Sequence, residues 1–190
     1  MPRINAATLV EHRAAQRRAV LDAARELVSE RGGDFTLGQV AARAGLARPS
    51  LYQYFASREE LVEAVVMDVF PRWSARIVEV VEAASSPREA VLAYAEVNLE
   101  LVAGGEHEIA AALSTIAPQP VVALRSAEMH REMLEPLART LGQMGVDDPG
   151  RAAELVNAVV LAASRQVESG ETVATVMSRV EAVLALSART

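Results

Sequence analysis

This chain of 190 residues has no cysteine and no lysine, and aromatic residues make up only 4% of it. The absence of cysteine excludes disulfides and thiolate metal sites and suits a reducing compartment. All 19 basic residues are arginine, which genomic base composition explains more simply than function does. No apolar run reaches the ~18 to 20 residues that a membrane-spanning helix needs. The longest charge-free stretch, Ile109 to Leu124, contains Ser114, Thr115, Pro118, Gln119 and Pro120. The opening residues, MPRINAATLVEHRAAQRRAV, lack the apolar stretch and small-residue cleavage site of a secretory signal, so a cytoplasmic location is expected.

Catalytic signatures are missing too. No G-x-S-x-G, H-E-x-x-H, G-x-x-x-x-G-K-[ST] or dinucleotide-binding glycine pattern occurs. Helix starts account for the acidic pairs Glu59-Glu60 and Asp147-Asp148. No enzyme, catalytic residue or cofactor is therefore expected. His12, His107 and His130, with no cysteine, make no metal constellation. His107, flanked by Glu106 and Glu108 beside Gly104-Gly105, reads as a solvated turn first and a metal site second.

What is present is helical. Hydrophobic residues make up 51%, mostly Ala, Val and Leu, and their period is near 3.6, which predicts an all-α protein of about nine helices. The punctuation sets boundaries. A first helix runs from about Arg13 to Ser29 and stops at RGGD. A second starts at a T-x-x-Q capping box, Thr36 and Gln39, and ends at Gly45; a third covers Arg48 to Phe55. Ser57 and Glu60 cap a fourth, which Pro71 is expected to kink or restart. Ser86-Pro87-Arg88-Glu89 starts the fifth, Gly104-Gly105 ends it, and a short sixth reaches about Ile116. The seventh spans Val121 to Met144 with a bend expected at Pro136. Asp148-Pro149 opens the eighth, and the ninth runs from Val173 to Ser187.

Charge is uneven: up to Val62 nine arginines face seven acids, giving +2, so with a net charge of -6 the remainder carries -8. In that basic part the second and third helices, joined by Gly45-Leu46-Ala47, have the length and glycine placement of a helix-turn-helix. Leu51 and Phe55 lie four apart and face the core, leaving Arg48, Ser50, Tyr52, Gln53 and Tyr54 outward, where they can donate to phosphate oxygens and base edges. Arg13, Arg17 and Arg18 stand at the cation-disfavouring start of the first helix, so an external anion such as a DNA backbone is expected to neutralise them.

FTLGQVAARAGLARPSLYQYFASREELVEAVV, Phe35 to Val66, resembles the N-terminal signature of the TetR family of bacterial transcriptional regulators. The resemblance implies an N-terminal three-helix bundle with the helix-turn-helix over 1–66 and a larger helical ligand-binding and dimerisation domain over 67–190. It implies a homodimer whose third helices enter successive major grooves of double-stranded operator DNA. Carried onto this chain, Thr36, Tyr54, Ser57 and Arg58 look like phosphate contacts, with Arg17 assisting. Arg48, Ser50, Tyr52 and Gln53 look like the groove-reading set, and Arg3 like part of an arm reaching a minor groove. One position departs from the pattern: Ala47 stands where Ser or Thr is common, which removes the third helix's cap.

For the rest of the chain the resemblance implies an effector cavity among the fifth to seventh helices, taking a small, often hydrophobic molecule. Candidate contacts are Trp73, Tyr94, Asn98, Met129, His130 and Met133; for the polar ones a satisfied core role is the competing reading. The eighth and ninth helices are apolar over more than one stripe, which points to a dimer interface of Leu155, Val156, Val159, Val160, Ala163, Val176, Val180, Val183 and Leu184. The expected function is a repressor released from its operator by the effector. The alternative is a helical protein-interaction or ligand-binding module in which the helix-turn-helix is only a scaffold.

Overall fold

The computed structural model describes residues 6–186. Among them nine α-helices and no strand occur: α1 Ala6–Arg31, α2 Leu37–Arg43, α3 Arg48–Leu51, α4 Arg58–Ala83, α5 Pro87–Ala103, α6 Glu106–Ile116, α7 Gln119–Gln143, α8 Pro149–Glu168 and α9 Val173–Leu186. Arg3 lies outside the described residues. No helix among these residues is long and apolar enough to cross a membrane.

The starts of α2, α5 and α8 follow their sequence signals, whereas α1 begins at Ala6, so Arg13, Arg17 and Arg18 stand beyond its first turn. Thr36 accepts from the Gln39 backbone N–H while Gln39 Oε1 accepts from the Thr36 N–H at 2.7 Å, a complete capping box. Ser86 accepts from the Glu89 N–H with Pro87 in the first turn of α5, and Asp148 accepts from the Arg151 N–H at the start of α8. Of the kink or restart expected at Pro71, the restart does not occur: α4 runs through Pro71, as α7 runs through Pro136. A proline inside a helix removes one hydrogen bond, but at Pro71 the flanking Phe70, Trp73 and Ser74 are buried, and that packing keeps the helix continuous.

The third helix is shorter than expected. Only Arg48–Leu51 is α-helical, and Ala47 gives it no side-chain cap. Beyond Leu51 the chain tightens: Gln53 N–H bonds the Ser50 carbonyl at 3.2 Å and Tyr54 N–H that of Leu51 at 2.9 Å. Such three-residue bonds trade the α-helical ladder for a narrower turn.

The chain groups into two compact units, Met1–Val69 with Glu108–Ala123, and Phe70–His107 with Leu124–Thr190. In the first, α2 packs on α1 and α3, and Val20, Leu27, Val40, Leu51, Phe55 and Leu61 are buried. In the second, α5, α8 and α9 pack mutually, and Ile77, Tyr94, Leu99, Leu137, Val160 and Val176 are buried.

Candidate nucleic-acid interface

The connection between α2 and α3 is built by Gly45. Its φ of +69° is left-handed, a region that L side chains rarely adopt. Leu46 N–H returns to the Ala41 carbonyl at 2.8 Å and Gly45 N–H to that of Ala42 at 3.2 Å, the paired bonds of a Schellman turn. The chain therefore reverses within three residues and starts α3 at a fixed angle. Arg43 locks α2 to α1: its guanidinium reaches Glu30 at 2.7 Å and Glu26 at 3.1 Å. Hydrogen bonding by Glu30 and then Glu26 raises the Arg43 pKa, and the same bond lowers that of Glu30.

On this frame the segment Arg48 to Phe55 divides by side. Leu51 and Phe55 are 0% and 2% exposed, whereas Tyr52 is 45% exposed and Arg48 and Gln53 are open to solvent. Ser50 and Tyr54 are half-buried. The Tyr54 hydroxyl donates to Gln16 of α1, and the Arg13 guanidinium lies 5.9 Å from the Tyr54 ring centre. Arg17, exposed, sits 5.4 Å from the centre of the Phe55 ring. One face thus gathers Arg13, Arg17, Tyr54 and the outward residues of α3, a mixture of cations, phenols and an amide.

Several expected phosphate contacts are occupied inside the unit. Arg58 Nη2 donates to the Gly33 carbonyl at 2.7 Å and Nε to that of Phe35 at 3.3 Å, with its guanidinium 4.6 Å from the Phe35 ring centre. Ser57 accepts from the Glu60 N–H at 3.1 Å, and the Thr36 hydroxyl belongs to the α2 cap. Arg18 does not await an external anion. Partial burial alone lowers its pKa, but hydrogen bonds to Asp22 and Asp68, the latter at 2.6 Å, outweigh that and raise it. Asp68 lies 50 residues away in sequence, beyond the reach of any local pattern.

In the second unit the six expected ligand contacts differ in burial and partners. Tyr94 is fully buried; its hydroxyl donates to Asn157 Oδ1 at 2.7 Å, and burial pushes its pKa above the usual phenol value. Asn98 donates to the Tyr94 carbonyl at 2.7 Å. Met133 is buried, Met129 half-buried, and the His130 side chain stands partly open to solvent, not sealed on the apolar side with Leu137. Trp73 is 5% exposed, and its Nε1 is a buried donor with no hydrogen-bond partner.

His107 is not the solvated turn that its neighbours suggested. It lies in α6, half-buried, 4.9 Å centre to centre from the Trp73 ring, with Nδ1 3.0 Å from Glu168. Among the described residues no three His, Cys, Asp or Glu side chains are placed to hold a metal ion.

The interface residues separate by helix face. Val160, Ala163, Val176 and Val180 are inside the chain's own core, which removes them as partner contacts. Leu155 and Val183 are 70% and 48% exposed, Val156, Val159 and Leu184 half-buried. Leu161, 46% exposed, and the exposed Ala158 and Ala182 extend the outer stripe, and the sequence pattern had not singled them out. Spacing could have found Leu161, since Leu155, Ala158 and Leu161 recur every three residues along one side of α8.

Residues 20–65 match the family model of the bacterial regulatory proteins, tetR family. The chain is similar to the HTH-type transcriptional regulator BetI of Escherichia coli, 29% identical over 128 residues, covering 63% of this chain and 58% of that protein. It is also similar to BetI of Brucella canis, 26% identical over 106 residues, covering 55% and 54% of the two chains. The matches thus span little more than half the length of these relatives. A crystal structure of a TetR-family transcriptional regulator from Agrobacterium tumefaciens shares the fold, with a TM-score of 0.70, 22% identity and coverage of 90% of this chain and 96% of that one. The family resemblance is carried by residues 20–65, and the solved regulator shares the fold.

Proposed function

We propose that the protein is a cytoplasmic, sequence-specific DNA-binding transcriptional regulator that acts as a homodimer on double-stranded operator DNA. One observation carries this reading: the Gly45 turn holds Arg48, Tyr52 and Gln53 outward while Leu51 and Phe55 anchor the segment. Arg48, Ser50, Tyr52 and Gln53 read the groove. Arg17 and Ser57 position it through phosphates, while Thr36, Tyr54 and Arg58, bonded within the unit, order the frame. The outer stripe of α8 and α9, centred on Leu155, Leu161 and Val183, pairs two copies, since large apolar side chains exposed together mark an interface.

Regulation in this reading is repression relieved by a small hydrophobic effector in the second unit. The unpartnered Nε1 of Trp73 supports a ligand acceptor there, because a buried N–H without a partner costs about 1 to 3 kcal/mol. Helix α4 starts in one unit and ends in the other, so a movement of α4 reaches both. A coupling of ~1 to 3 kcal/mol gives a 5- to 150-fold response.

Selection from a random duplex library supplies the operator, and anisotropy titrations test the map. Tyr52→Ala weakens binding and relaxes base preference; Arg17→Ala weakens all duplexes alike and lowers the salt slope by about one. If both variants bind like the parent, the contact map is wrong; if the parent retains no duplex at low salt, the helix-turn-helix is a scaffold. A thermal-shift screen of hydrophobic metabolites tests the effector, and Trp73→Phe should keep the packing while losing the response to compounds that carry an acceptor.

A further inference from the structure

A cleft of about 430 Å³ opens in the second unit between the end of α4, the turn into α5 and the second half of α7. Its size lies within the range of about 300 to 1,000 Å³ usual for small-molecule sites. None of Trp73, Tyr94, Asn98, Met129, His130 or Met133 lines it. We propose that this cleft binds a small zwitterion of the amino-acid type, at a site separate from the Trp73 region and independent of whether the protein binds DNA.

The charged groups of the cleft are Glu82 on α4 and Arg139 on α7. They face each other at 3.6 Å, with both side chains more than half exposed. That single long contact leaves most of the five guanidinium donors and most of the carboxylate lone pairs unused. An exposed pair of this kind contributes little to stability, so a ligand can part it at small expense. One positive and one negative group make the lining neutral, favouring a molecule that carries both charges over a plain anion or cation.

Thr140 supplies the second, independent observation. It is 8% exposed and lines the cleft, yet its hydroxyl makes no hydrogen bond within the described residues. Other helical hydroxyls here turn back to the carbonyl one turn earlier: Ser114 to Ala110 at 2.8 Å, Thr115 to Ala111 at 3.1 Å and Ser164 to Val160 at 3.0 Å. Thr140 makes no such bond to the Pro136 carbonyl, and its hydroxyl is left to the cleft.

Ser86 and Pro87, at the start of the 17-residue helix α5, also line the cleft and bring the positive end of that helix to it. A ligand carboxylate fits between Arg139, Thr140 and this helix start, and a ligand ammonium meets Glu82. Glu89 does not compete for the ammonium, because its carboxylate accepts the Ser85 N–H at 2.9 Å.

Thermal shift followed by calorimetry on the full chain, with each standard L-amino acid at millimolar concentration, tests the site; acetate and methylamine serve as single-charge probes. At least one amino acid should raise Tm while acetate and methylamine do not. Glu82→Gln and Arg139→Gln, both at solvent-accessible positions, should each weaken binding by about tenfold or more, the loss expected for one charge-assisted hydrogen bond. Thr140→Val should weaken it and Thr140→Ser should restore it. The proposal fails if no amino acid shifts Tm, if acetate or methylamine matches the amino acid, or if binding survives both charge-removing substitutions.

Discussion

Tyr52 and Tyr94 are the same residue used in opposite ways by the two units. Tyr52 stands 45% exposed at the end of a one-turn helix, and no hydrogen bond holds its hydroxyl among the described residues. Tyr94 is 0% exposed in a 17-residue helix and is held by Asn157, 63 residues away. In the first region a polar aromatic is displayed by a frame of small, locally coded devices: a capping box, a Schellman turn and the Leu51–Phe55 anchor. In the second the polar group is absorbed by the core. Display leaves surface chemistry available to a partner, whereas absorption converts the same chemistry into packing specificity.

The sharpest way to break this contrast is truncation. Tyr94→Ala should destabilise by about 3 to 5 kcal/mol, as large aromatic deletions in cores do, while Tyr52→Ala should change stability by no more than about 0.5 kcal/mol. Urea midpoints measure both, and equal losses would mean that Tyr52 belongs to the core of its own unit.

The next effect tests a close approach in the first unit. A Cβ at Gly33 would stand 2.6 Å from Ile116 Cγ2, so the turn after α1 and the end of α6 touch where only glycine fits. Gly33→Ala should cost about 1 to 3 kcal/mol, the usual penalty of overpacking, and Ile116→Ala in the same chain should recover part of it. Simple additivity in that double-mutant cycle would remove the contact from the account.

Alkaline pH tests the burial of Tyr94. Burial raises the Tyr94 pKa above the ordinary phenol value of 10. The folded state therefore keeps its proton more tightly than the unfolded one. Its contribution is complete below pH 10 and declines as pH rises past that value, with a slope of at most about 1.4 kcal/mol per pH unit from one proton. Tyr94→Phe should flatten that part of the stability profile, and an unchanged profile would mean that the buried phenol does not set it.

The smallest expected effect concerns the frame of the exposed segment. Thr36→Ala should destabilise by about 1 kcal/mol through loss of the α2 cap, and Ala47→Ser should stabilise by a similar or smaller amount by giving α3 the cap it lacks. Denaturation midpoints read both. A neutral Ala47→Ser would show that Leu51 and Phe55 already fix the segment.

Much of this was legible because its causes are local. Thr36 with Gln39, Ser86 with Glu89 and Asp148 with Arg151 each lie three apart, so one turn of backbone brings them together, and glycine at 45 marks a left-handed turn wherever the chain goes next. The orientation of Leu51 and Phe55 follows from the same four-residue spacing. The partners of the longer side chains were not legible. Arg18 looked like a cation awaiting phosphate, but Asp68 meets it from α4; Arg58 turned back to Gly33 and Phe35; His107 met Trp73 and Glu168. Nor could periodicity tell which apolar stripe of α8 faces inward, since Val160 and Leu155 are equally apolar and only one side of the helix has neighbours within the chain.

The sequence alone settled the order of the helices, the caps of α2, α5 and α8, and the outward placement of Arg48, Tyr52 and Gln53, because backbone hydrogen bonds and side-chain spacing act within a turn or two. Tertiary structure alone decided which charges are paired, that α4 continues past Pro71, and where open space remains. Those outcomes depend on groups brought together across tens of residues, where packing and desolvation outweigh any local preference.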